Sequence, residues 1–256
     1  MKTKRFQIVN IISFLAVIVV NALANILPIN GKTTGEISDF YSNYFTPAAL
    51  TFSIWGLIYI LLAGFIIYQA RGLFRNMYNN YNFVSEIGWL FAASSLANIA
   101  WILCWHYQKI TLSLIVMLIL LISLSSIYLK TKNNNLNKLF IVIPFSIYTG
   151  WITIATLANI TVFFVDNNIL NNPLLDISWT IIAIIIGTIV TSFILFKYRD
   201  IFYSLVPIWA FIGIIIKRLN TEAITPIIIA ASAGIIIIII EIFYILFRKK
   251  PHKYTF

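Results

Sequence analysis

Residues 47–70 read PAALTFSIWGLIYILLAGFIIYQA and contain no charged side chain. Wound as an α-helix at 1.5 Å per residue, this run is about 36 Å long, enough to cross ~30 Å of hydrocarbon. Working outward, seven more apolar runs flank it. They are Phe6–Leu27 before it, and Glu86–Trp105, Thr111–Leu129, Leu139–Thr161, Ile177–Phe196, Ile201–Ile216 and Pro226–Phe247 after it. The chain of 256 residues is 61% hydrophobic and 10% charged, with mean hydropathy +0.93. Soluble domains are about 45–50% apolar and about 25% charged, so a water-soluble monomer is excluded. The reading is an all-α, polytopic membrane helix bundle of about eight transmembrane helices. The seventh run is short and holds Pro207, which predicts a tilted or partly broken helix.

Orientation follows from lysine and arginine. Of the 18, fourteen lie on one set of flanks: Lys2, Lys4, Arg5, Arg71, Arg75, Lys130, Lys132, Lys138, Lys197, Arg199, Arg248, Lys249, Lys250 and Lys253. The other set holds Lys32, Lys109, Lys217 and Arg218, together with the acids Glu36, Asp39, Asp166, Asp176 and Glu222. A multi-pass protein of the cell membrane with both termini cytoplasmic is predicted. The net charge of +10 is thereby assigned to topology beside anionic lipid, and a nucleic-acid partner is set aside. The first run also fits a signal peptide, with Ala22-Leu23-Ala24 as a small-residue cleavage site. Its length, and Asn10 and Asn21 within it, favour a retained span.

Most catalytic signatures fail. Cys104 is the single cysteine, so no internal disulfide or cysteine metal site is predicted. His106 and His252 are distant in sequence; His106 is expected at the outer interface beside Trp105 and Lys109. Gly31-Lys32-Thr33 resembles the end of a phosphate loop, but the required earlier glycine is Ile26. No GxSxG elbow occurs. Glu241 lies inside the last span, where an acid marks either function or a side chain reaching towards Arg248–Lys250.

The stronger pattern is three polar–aromatic stripes. Pro47, Thr51, Trp55 and Tyr59 recur every four residues on the second span. Ser94, Asn98, Trp101 and Trp105 share a face of the third, and Tyr148, Trp151, Ala155 and Asn159 one of the fifth. Counting the helical rise from the span ends places Trp55, Asn98 and Trp151 all about 10–12 Å below the outer face. Two readings fit: an aromatic pocket in the outer half, or tight helix packing with Asn as glue. Residues Pro28–Thr46, the longest outer segment, carry turn residues and the aromatic stretch Phe40–Phe45. They form either an interfacial belt or a lid over the bundle mouth.

At these residues the sequence resembles the TspO/MBR family, the tryptophan-rich sensory or translocator proteins, over about residues 6–165. The carrying motifs are Pro47 with Trp55 and Tyr59, then Asn98-x-x-Trp101, then Tyr148-x-x-Trp151-x-x-x-Ala155-x-x-x-Asn159. Departures are Thr46 for the first proline of a pair, Phe52 one position closer to Trp55 than usual, Ser94 for glutamine, Trp105-His106 for Phe-Phe, and Pro144 one turn early. The resemblance implies a five-helix membrane domain at 1–165. Residues 166–256 would add three transmembrane helices and a basic cytoplasmic tail. It further implies an integral membrane receptor or carrier, not an enzyme, for a planar hydrophobic ligand, tetrapyrrole- or sterol-like. Trp55, Tyr59, Asn98, Trp101, Tyr148, Trp151, Ala155 and Asn159 are the expected ligand-binding residues, with a porphyrin-type ligand in place of a cofactor and no metal. Expected partners are that hydrophobic small molecule, the lipid bilayer and a second copy in a homodimer. A small-molecule permease using the C-terminal helices is the alternative, supported by Glu241 and the interrupted seventh span. A membrane enzyme exploiting a bound chromophore is a third.

Overall fold

The computed structural model describes residues 2–26, 29–74, 82–132 and 136–248. Leu27, Pro28, Arg75, Lys249, Lys250, His252 and Lys253, named above, lie outside them. Ten α-helices and no strand form among the described residues: α1 (Lys2–Ile26), α2 (Thr34–Phe40), α3 (Ile54–Phe74), α4 (Asn82–Ile87), α5 (Leu90–His106), α6 (Ile110–Lys132), α7 (Ile143–Asp166), α8 (Pro173–Tyr198), α9 (Ile201–Asn220) and α10 (Thr225–Phe247). The chain is an all-α membrane bundle. Among the described residues, seven helices are long and apolar enough to cross a bilayer, while α5, at 17 residues, is shorter. The run predicted as Glu86–Trp105 is divided, because Gly88 takes φ +57° and separates α4 from α5.

Large aliphatic side chains cover the outside: Ile60 is 72% exposed and Ile122 66%. In water such a surface would drive association, whereas against lipid chains it carries no penalty. Inside, polar side chains pair across helices. Asn10 Nδ2 donates to Gln69 Oε1 at 3.0 Å and Gln7 Nε2 to the Gln69 carbonyl at 2.8 Å, tying α1 to α3. Polar side chains within hydrocarbon need such partners.

Helices α5, α6 and α7 pack in series, with α1 against α5 and α3; α8, α9 and α10 pack on one another and reach the rest mainly through α7–α9. Gly150 makes that junction close. A Cβ there would stand 3.0 Å from the Tyr203 carbonyl oxygen and 3.2 Å from Val206 Cβ. Pro207 lacks the N–H that this carbonyl would accept in a regular helix. Of the expected tilt or partial break, the break does not occur: α9 runs unbroken through Pro207. Packing against Gly150 and α7 holds the segment straight enough to remain helical.

The two sets of flanking charges gather at opposite ends. At the α2 end, Lys217 Nζ meets Asp39 Oδ1 at 2.6 Å and the Tyr44 amide donates to Asp176 Oδ2 at 3.0 Å. At the other end, Lys132 Nζ meets Asp200 Oδ2 at 2.7 Å and Arg199 donates to the Ile245 carbonyl at 2.8 Å. Glu241 does not reach Arg248: its Oε2 is buried without a hydrogen-bond partner, while Arg248 Cζ lies 5.6 Å over Tyr244.

Candidate aromatic site

Four rings stand in a column near the α2 end. Tyr59 and Trp55 are 5.7 Å apart at 21°, Trp55 and Trp101 6.2 Å apart at 26°, and Trp101 and Trp105 5.8 Å apart at 27°. All are offset stacks, the favourable arrangement for aromatic quadrupoles. Trp151 and Tyr148 close the column edge-on, each about 6 Å from Trp55, at 85° and 70°. The predicted residues of α3, α5 and α7 therefore do meet.

Their hydrogen bonds divide them into two groups. Asn98 is fully buried and acts as a strut: its Oδ1 accepts from Asn21 Nδ2 at 2.8 Å, and its Nδ2 donates to the Tyr148 hydroxyl at 3.1 Å. That ties α1, α5 and α7 beneath the rings. Asn159 Oδ1 accepts from Ser113 Oγ at 3.0 Å, fixing α7 to α6. By contrast Tyr59 Oη, Trp101 Nε1 and Trp151 Nε1 are buried with no hydrogen-bond partner among the described residues. Buried polar atoms are paired in the great majority of cases, and these three donors are exceptions to it gathered in one cluster.

Two cavities adjoin the column. One of about 50 Å³ is lined by Trp55, Trp101, Trp105, Trp151, Ala155 and Asn159, among others. The other, of about 200 Å³, includes Asn21, Gly35, Tyr59 and Ile102. Thr34, Phe52 and the half-buried Trp55 line both and divide them. Each is smaller than the 300–1,000 Å³ of a small-molecule site, so in this conformation the tryptophans fill most of their own pocket.

Several contributors escaped the sequence reading. The stripe Pro47–Thr51–Trp55 assumed one continuous α-helix, but Ala49–Ser53 is a 3₁₀ turn, and its tighter winding turns Thr51 away. Thr51 faces Gly213 of α9, and its carbonyl accepts from Trp209 Nε1 at 3.0 Å. Phe52 takes the place beside Trp55, 6.1 Å edge-on from Trp151. Ala210 and Ile214 of α9 line the small cavity too, so the C-terminal helices supply a wall.

The segment before α3 covers the mouth. Thr33 and Glu36 form a reciprocal cap on α2, with Glu36 Oε2 accepting from the Thr33 amide at 2.6 Å. Thr34, Ser38 and Phe45 line the small cavity, and Trp105 Nε1 donates to the Thr34 carbonyl at 3.2 Å. His106 is buried under this cover, rather than placed at an exposed interface. Its Nδ1 donates to the Ile29 carbonyl at 3.0 Å, and its Nε2 lies 3.1 Å from Thr34 Oγ1. A ring at the end of α5 that bonds both ends of a loop crossing is unreadable from helical period alone.

A family model described as TSPO-like protein matches residues 7–244. The match runs beyond the 6–165 stretch of the motifs and through most of α10. No curated protein and no solved structure matches the chain.

Proposed function

The chain belongs to the TSPO-like protein family, and from that premise we propose that it is a membrane receptor or carrier binding a planar hydrophobic ligand at the Trp55 column. The supporting observation is the set of orphaned donors, Tyr59 Oη, Trp101 Nε1 and Trp151 Nε1, around near-parallel rings. Parallel faces suit a flat conjugated molecule, and three unpaired donors suit one carrying several oxygen acceptors. A porphyrin-type tetrapyrrole with carboxylate side chains offers both, whereas a sterol offers one hydroxyl. Joined, the two cavities hold about 250 Å³, so admitting a tetrapyrrole requires Trp55 and Phe52, which stand between them, to swing aside and widen the space. The walls are aromatic and aliphatic, which suits binding rather than catalysis. By the lysine and arginine bias the α2 end faces outward in the cell membrane, so the ligand meets the site from that side.

The test is titration of purified protein in detergent with protoporphyrin IX, read by tryptophan quenching. Wild type should quench saturably, and Trp151→Ala should weaken affinity by roughly thirtyfold, the ~2 kcal/mol of a truncated aromatic anchor. Trp151→Phe keeps a ring and removes only the N–H, so it should fall in between. Absent quenching in wild type, or equal affinity in all three, would remove this reading.

One observation favours a permease instead, the unpartnered carboxylate oxygen of Glu241 within α10. Uptake into liposomes driven by a pH gradient, and lost in Glu241→Gln, would support it.

A further inference from the structure

A separate cavity of about 540 Å³ opens at the α2 end, between residues 38–46, residues 170–176 and the end of α9. Its size falls in the small-molecule range, and its walls are charged where those of the tryptophan site are aromatic. Arg218 is its anchor. This residue is only 4% exposed, its Cζ lies 5.1 Å over the Tyr44 ring, and its Nε is buried without a hydrogen-bond partner. A guanidinium presents its N–H donors as a planar fork matched to carboxylate or phosphate, and a buried donor left unpaired is costly.

Among the described residues, none of the surrounding acids hydrogen-bonds Arg218. Asp176 accepts from the Tyr44 amide at 3.0 Å and from Thr180 Oγ1 at 3.4 Å. Glu222 Oε2 accepts from the Tyr44 hydroxyl at 3.3 Å. Asp39 pairs with Lys217, and those two charges cancel. Among the described residues, what remains on the wall is one cation, Arg218, facing two carboxylates, Asp176 and Glu222, each with lone pairs to spare. A bare anion would be repelled by the carboxylates. A bare amine would leave Arg218 unfilled.

We propose that this cavity binds a small zwitterion, with its oxyanion on Arg218 and its ammonium towards Asp176 and Glu222. A free amino acid and the phosphoethanolamine headgroup of a lipid share that chemistry. The proposal does not rest on the tryptophan column, although Ser38 borders both cavities, and its test does not use tryptophan fluorescence.

Isothermal titration of the full chain in maltoside detergent with L-alanine, glycerophosphoethanolamine, acetate and ethylamine distinguishes the cases. At least one zwitterion should bind saturably, with acetate and ethylamine at least about tenfold weaker. Binding of L-alanine identifies a free solute, and binding of glycerophosphoethanolamine alone identifies a headgroup. Arg218→Gln should abolish the heat of binding. Should that buried substitution prevent folding, Glu222→Gln lies at an exposed position and should weaken zwitterion binding severalfold in a folded protein. No binding of either zwitterion, equal binding of acetate or ethylamine, or unchanged affinity in the folded variants would overturn the assignment.

Discussion

Replacing Gly213 by alanine probes the joint through which the C-terminal helices reach the aromatic site. A Cβ at this position would stand 1.9 Å from Thr51 Oγ1 and 3.0 Å from both Thr51 Cβ and Pro47 Cβ. Rotating Thr51 relieves the first contact only, because the other two involve atoms fixed to the backbone or the proline ring. Helix α9 must therefore retreat from the 3₁₀ turn. Retreat stretches two hydrogen bonds, Ala48 N to the Gly213 carbonyl at 3.0 Å and Trp209 Nε1 to the Thr51 carbonyl at 3.0 Å. Overpacking costs about 1–3 kcal/mol and each weakened hydrogen bond about 1 kcal/mol. Alanine's better helix propensity returns about 1 kcal/mol. The net loss is about 3 kcal/mol, a fall of roughly 6–12 °C in unfolding midpoint for a chain of this size. The assay is thermal unfolding in detergent of Gly213→Ala, Thr51→Ala and the double variant. Removing Oγ1 takes away the shortest contact, so the double variant should recover about half of the loss. A neutral Gly213→Ala, or strictly additive losses in the double variant, would refute the packing argument.

In a Cys104→Ser background, single cysteines at Glu36 and Leu170 should react with an impermeant thiol reagent from outside intact cells, and cysteines at Lys138 and Lys197 should not; the opposite pattern would reverse the orientation. Asp200 caps α9, accepting from the Tyr203 amide at 3.2 Å, and pairs with Lys132 while its side chain is 1% exposed. Asp200→Ala should therefore cost about 3 kcal/mol in unfolding experiments, whereas Asp39→Ala, which breaks a pair whose Asp39 side chain is 63% exposed, should cost under ~1 kcal/mol. The Glu36 carboxyl is held below its ordinary value of 4.5, chiefly by the Thr33 amide and then by the Thr33 hydroxyl. Its contribution to α2 is thus complete above that value and is lost as pH falls through the lowered one. The protection factors of the α2 amides, taken relative to intrinsic exchange at each pH, should fall on acidification in wild type, and Glu36→Gln should flatten that dependence.

What the amino-acid sequence determined by itself is the solvent of each segment and the level of each side chain along the bundle. Helices such as α3 and α10 are apolar over a bilayer's width, and hydrocarbon admits only backbones that satisfy their own hydrogen bonds. The membrane bundle, its segments and the TSPO-like membership were therefore legible without coordinates. So was the meeting of Trp55, Trp101 and Trp151, because helical rise converts residue number directly into depth. Azimuth and closeness were not legible. A 3₁₀ turn at Ala49–Ser53 exchanged Thr51 for Phe52 beside Trp55, a change of winding that leaves no trace in hydropathy. Pro207 looked like a break, yet its effect depended on Gly150 standing opposite. The buried Arg218 counted as one more outer-flank charge until residues Tyr44, Asp176 and Glu222 from distant segments closed around it. Burial, orphaned donors and cavities arise from which helix faces which, and that is fixed by side-chain packing between segments far apart in the chain.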